Sequence, residues 1–81
     1  MSFLYTVGDI QTTEPWERPH EFLIKRWYND YSKYFKDEYK MYIGGGVSQG
    51  IETWDLDICL LGEIKDCIEP IDNVGLIKVG F

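Results

Sequence analysis

Between Pro19 and Phe35 the apolar positions Leu23, Trp27, Tyr31 and Tyr34 recur every three or four residues, and Ile24, Tyr28 and Phe35 widen the stripe. Lys25, Arg26, Asn29, Asp30 and Lys33 fill the other faces. This spacing predicts an amphipathic helix that packs on something flat. Bases also stack on aromatic stripes, but at helical spacing core packing is the ordinary role. Thr12-Thr13-Glu14-Pro15 and Arg18-Pro19 supply turn and helix-start chemistry ahead of it, and the polar run Lys36 to Lys40 ends it.

The remaining apolar runs are short. Met41-Tyr42-Ile43 reads as a buried strand running into Gly44-Gly45-Gly46, and Leu56 to Leu61, apolar except for Asp57, reads as a second strand closed by Gly62. Glu63 to Ile68 predicts one or two helical turns before Pro70, and Gly75 to Phe81, with Leu76, Ile77 and Val79, predicts a third strand. Upstream, Phe3 to Val7 is closed by Gly8-Asp9 and fits an edge strand or an arm packed on the body, with residues 1–18 leading in as an N-terminal arm. The element order predicts an α/β (α+β) fold: a small mixed sheet of about three strands with the amphipathic helix on one face. No repeat, linker or low-complexity tract divides residues 1–81, which read as a single domain.

Composition narrows this picture. A chain of 81 residues buries only about 60–65% of its unfolded surface, and the thirteen Phe, Trp and Tyr residues give a small core large surfaces to cover. The formal net charge is −6, and from Met41 to Phe81 seven acids stand against two bases. Such a balance speaks against extended nucleic acid as a partner and suits a cation, or an anion bridged by cations. Cys59 and Cys67 lack the spacing of a metal or redox motif, and His20 is the only histidine, so a structural zinc site has too few ligands. With no signal peptide or long apolar run, the expectation is a cytoplasmic protein with reduced thiols and no membrane partner.

The candidate chemistry lies at Asp55 and Asp57. Strand side chains alternate, so Leu56, Ile58 and Leu60 face the core while both carboxylates share the opposite face. Two like charges on one face of a rigid strand repel, and a hard divalent cation, Mg²⁺ or Mn²⁺, relieves the repulsion. Just upstream, Gly44, Gly45 and Gly46 remove side chains where a backbone must come close to something, and free amides there suit phosphate oxygens, with the Ser48 hydroxyl beside them. A plain reading stands next to this one, with the glycines as a flexible hairpin and the aspartates as solvated strand-start charges.

The stretch Ile43-Gly44-Gly45, followed about ten residues later by Asp55-Leu56-Asp57-Ile58, resembles the signature of the nucleotidyltransferase superfamily. Gly45-Gly46-Val47-Ser48-Gln49-Gly50 resembles its Gly-Ser form in a register one residue along. The resemblance covers roughly Leu23 to Phe81. It implies Asp55 and Asp57 as metal ligands and catalytic residues, with Gly44, Gly45, Gly46 and Ser48 on the phosphates of a nucleoside triphosphate. It further implies transfer of a nucleoside monophosphate to a hydroxyl acceptor in the presence of Mg²⁺ or Mn²⁺. The chain departs from the family in lacking an evident third carboxylate. Gly75 to Phe81 holds no acid, Glu63 and Asp72 fit poorly, and Glu52 is a weak local substitute. The C-terminal part of the family fold is also absent, which leaves a truncated or catalytically inactive nucleotide-binding or protein-interaction module as the alternative. Trp54, beside Asp55, is placed to shield the site, stack on a base or simply pack. An exposed apolar sheet edge predicts a homo-oligomer.

Overall fold

The computed structural model describes residues 2–66 and 74–80, with only the backbone at Asp9. The elements run β1 (Phe3–Trp16), α1 (Glu21–Ser32), β2 (Lys40–Gly44), α2 (Gly45–Ser48), β3 (Thr53–Gly62) and β4 (Leu76–Gly80). The four strands form one sheet in the order β2-β3-β1-β4, antiparallel at every junction, and the sheet curls into a half-barrel.

This corrects the expected three-stranded mixed sheet with a helix across one face. The largest difference is the N-terminal segment, which is neither an edge strand nor an arm. It is an inner strand of the sheet, pairing with β3 on one side and β4 on the other. Gly8-Asp9 does not end it. The ladder runs Val7↔Ile58 and then Ile10↔Leu56, so two residues of β1 stand against the single Asp57, which is a β-bulge. Beyond it Ile10 and Trp16 return to pack on the core, and Trp16 fixes the turn of the strand by donating its Nε1–H to the Ile10 carbonyl at 3.3 Å. Pro15 falls in a second register shift, between Gln11 and Trp16, where the ladder asks for no N–H.

The helix forms inside its predicted range but ends at Ser32, and none of its residues is buried. Trp27 and Tyr31 lean on the core from its side, while the rings that close the core, Phe35 and Tyr39, come from the connection after it. Phe35 stacks on Tyr39 at 4.3 Å between centroids, Tyr39 on Tyr28 at 4.6 Å, and Tyr5 of β1 meets Phe35 edge-on at 6.1 Å. Tyr28 and Tyr39 also donate their hydroxyls to each other's carbonyls, which ties α1 to the start of β2. Burial, with the nearby Tyr28, Tyr31 and Asp30, pushes the Tyr39 hydroxyl up to about 12. The ring stack leaves no room beside Gly62, where a Cβ would lie 2.7 Å from both Phe35 and Tyr39. Glu63 to Asp66, expected to be helical, instead carries a bridge from Ile64 to Phe35, and Lys36 pairs there with Asp66 at 3.0 Å and Glu63 at 3.5 Å. Cys67, Ile68 and Asp72 lie outside the described residues.

Candidate functional site

The β3 strand has the alternation its sequence requires. Leu56, Ile58 and Leu60 are fully buried, and Thr53, Asp55, Asp57, Cys59 and Leu61 are half-buried on the other face. The two aspartates thus share one face of a rigid strand. Asp55 accepts a hydrogen bond of 2.6 Å from Thr53 Oγ1, two residues earlier on the same face, which fixes the direction of its carboxylate. Cys59 is a free thiol two residues beyond the pair.

Antiparallel pairing of β2 with β3 sets Gly44 opposite Asp57, and the chain then turns away into the single helical turn α2. The turn begins at Gly45 with φ +70°, a left-handed conformation that glycine adopts without strain. A Cβ on Gly45 would lie 2.7 Å from Asp57 Oδ2. Of the three consecutive glycines, the carboxylate therefore rests against the one that has to be a glycine. Gly44 and Gly46 are less demanding, since a Cβ at either meets its nearest neighbour at an ordinary 3.7 Å and 3.6 Å. The structure brings together Asp55, Asp57, Gly44 and Gly45. It places Gly46 inside the turn, against Thr53 and Ile51, and exposes Ser48 on the turn's far end. The Ser48 hydroxyl donates to the Gly45 carbonyl at 2.7 Å, so its proton closes the turn rather than facing outward.

The donors suit a hard divalent cation in kind, being two half-exposed carboxylates on one face, with the Thr53 hydroxyl and the Gly45 backbone among their neighbours. In number they fall short: among the described residues no group of three His, Cys, Asp or Glu is placed to hold a metal. Glu52 is exposed in the loop before β3, Glu63 is held by Lys36 at the strand's other end, and Asp72 is not described. The feature that sequence reasoning passed over is the bulge in β1, whose backbone sets Gly8 and Asp9 together opposite Asp57. Its signal in the sequence, a Gly-Asp pair after an apolar run, is that of a strand end. Trp54 is 58% exposed and packs into no core.

No family model, no curated protein and no solved structure matches this chain. Fold and site define a small antiparallel β-sheet protein with a corner of paired aspartates and a left-handed glycine. Among the described residues no helix is long and apolar enough to cross a membrane.

Proposed function

We propose that the β2–α2–β3 corner binds a nucleoside triphosphate through Mg²⁺ or Mn²⁺ held by Asp55 and Asp57, and that the chemistry served is transfer of a nucleoside monophosphate to a hydroxyl acceptor. The observation that carries this reading is the contact between Asp57 and Gly45. It joins the carboxylate pair to the glycine turn, two features ten residues apart whose separate meanings are ordinary. The antiparallel sheet lends the reading no support; the corner alone does.

Each residue has a definable part. Asp55 and Asp57 supply oxygen ligands, Thr53 orients Asp55, and Gly45 leaves space for the Asp57 carboxylate that any larger residue would fill. When bound, the divalent cation neutralises charge on the triphosphate and on the departing pyrophosphate. The face of β3 around the pair is half-buried, which makes each charge interaction stronger than in bulk water. A second reading, a nucleotide-binding module without transfer, is favoured by the Ser48 proton being engaged within the turn. The exposed sheet edges add self-association to this proposal.

A thermal-shift titration tests it, using Mg²⁺ or Mn²⁺ with each nucleoside triphosphate on the wild type and Asp57→Asn. Ligand at a hundredfold its dissociation constant adds about 2.7 kcal/mol, enough to raise the melting point of a chain this size by several degrees. The expected result is a cation-dependent shift that Asp57→Asn abolishes. Pyrophosphate release with a hydroxyl acceptor then separates transfer from binding alone. A wild type that no nucleotide stabilises, with or without cation, would overturn both readings.

A further inference from the structure

β2 is an edge strand, and every second residue of it turns its backbone N–H and C=O away from β3, with no strand to receive them among the described residues. Beside that edge lies a recess of about 530 Å³ between β2 and α1. Lys40, Met41 and Tyr42 form its strand wall. Successive residues of a strand point to opposite faces, so a recess that touches three in a row meets the strand at its edge. Two rises of the strand make this wall about 7 Å long. Ile24 and Tyr28, one helical turn apart, form the facing wall. Both belong to the apolar stripe of α1, yet it is Trp27 and Tyr31 that pack against the core. Tyr28 is held by its stack on Tyr39 and its hydrogen bond to the Tyr39 carbonyl, so the wall is preformed.

Charge decides what can lie along this edge. Ile24 also lines a second cleft, of about 440 Å³, which takes in Ile43, farther along β2, and Arg18. The charged residues on the two are Arg18, Lys25 and Lys40, all bases, in a chain where fourteen acids face eight bases. Arg18 and Lys40 make no ion pair among the described residues. Lys25 meets Glu21 at 3.5 Å with both side chains largely exposed, which is a weak attachment. A lysine at a sheet edge discourages a neutral or basic strand, and the same charge favours one that carries acids. A second copy joined β2 to β2 would bring the same bases to both sides, and β4, the other edge of this chain, offers Lys78 and no acid. We infer that β2 and α1 form a groove for an extended acidic segment of another protein. The segment adds to the sheet as a further strand, sets an apolar side chain between Ile24 and Tyr28, and meets Arg18, Lys25 and Lys40 with its acids. The groove needs nothing from Asp55 and Asp57, which lie on the face of β3 opposite the core.

Two display libraries of peptides, about eight residues long to match one strand, are selected on the immobilised wild type. Their positions alternate between randomised apolar residues and a fixed charge, glutamate in one library and lysine in the other. Enrichment from the glutamate library alone is expected. The strongest binder, measured by fluorescence anisotropy, is expected to weaken about tenfold on Lys40→Glu and to lose measurable binding on Ile24→Glu. Ile77→Lys, at the opposite edge, binds as the wild type does. Ile24 lies outside the core cluster and Lys40 is exposed, so both groove variants melt close to the wild type. Backbone methylation identifies the mode of binding. A peptide strand offers one edge to β2, so methylating the amides of that edge abolishes binding and methylating those of the other leaves it intact. No enrichment from either library, equal enrichment from both, or a binder indifferent to Lys40→Glu and Ile24→Glu overturns the groove. Equal tolerance or equal loss for the two methylated peptides overturns the added strand. A lower oligomeric mass for Ile24→Glu in the absence of peptide gives the groove to a second copy and overturns the acidic partner.

Discussion

Gly45 and the Asp57 carboxylate occupy adjoining space, and two separate penalties follow from any side chain there. A left-handed φ of +70° costs a residue with a Cβ about 1–2 kcal/mol, and the added carbon would lie 2.7 Å from Oδ2. Gly46→Ala meets neither penalty, because its φ is not positive and its nearest neighbour would be 3.6 Å away. Gly45→Ala is therefore expected to lower unfolding stability by about 1–2 kcal/mol, the cost of the backbone conformation, and, by displacing the Asp57 carboxylate, to weaken any cation held there. Gly46→Ala changes stability by less than about 0.5 kcal/mol. Urea unfolding of both variants, followed by Mn²⁺ titration, checks the contrast. Equal losses from the two substitutions would show that the turn does not discriminate between its glycines. The three glycines look alike in the sequence, and only the left-handed φ and the neighbouring Asp57 carboxylate distinguish the middle one.

The bulge in β1 is the feature at the scale of elements with most bearing on the site. Bulges place two residues against one and are common beside functional positions, where they alter what a strand presents. Here the single residue is Asp57 and one of the two opposite it is Asp9. The neighbouring strand β3 carries the group that supports the pair, since Thr53 Oγ1 donates to the Asp55 carboxylate. Thr53→Val keeps the size of the residue and its place in the strand, and is expected to weaken Mn²⁺ binding about tenfold, on the scale found when a group beside a metal site is lost. Glu14→Gln, on β1 and exposed, should leave binding unchanged. Electron paramagnetic resonance of free against bound Mn²⁺ reads both, and equal affinity in the two variants would remove Thr53 from the site. The same strand shows where the sequence was legible and where it was not. Leu56, Ile58 and Leu60 alternate with Asp55 and Asp57, a local period-two signal, and β3 follows it residue by residue. In β1 the signal breaks at Gly8-Asp9, and Gln11 to Pro15 is polar with a proline. Only the partner strands on either side make it extended. Likewise the stripe of α1 gave a helix, but the distribution of burial did not follow, since Phe35 and Tyr39 reach the core from a connection that has no periodicity to read.

At the scale of the whole molecule the sheet remains open among the described residues. Its order leaves β2 and β4 as edges, and the radius of gyration is 13.0 Å where a compact chain of this length has about 12 Å. The two edges differ. β2 begins with the exposed Lys40, the kind of charge that keeps an edge from pairing. β4 carries Ile77 and Val79, each about half exposed, and its one charge, Lys78, lies 3.6 Å over the Phe3 ring. An edge with apolar side chains and its cation drawn back onto the sheet is the less guarded one. Against association stands the net charge of −6, whose repulsion between copies is screened as salt rises. Apolar pairing is not weakened by salt, so the two effects separate experimentally. The expected behaviour is a mass near the monomer's 9.5 kDa at low ionic strength and low concentration, rising toward a dimer as salt and concentration increase. Ile77→Lys, which adds a charge to each copy at the same edge, should hold the protein at the monomer mass throughout, and Lys40→Ala on the opposite edge should not. Multi-angle light scattering across a salt series makes the comparison. A wild type at 9.5 kDa under every condition would mean that the curl of the sheet protects β4 without help from a second copy.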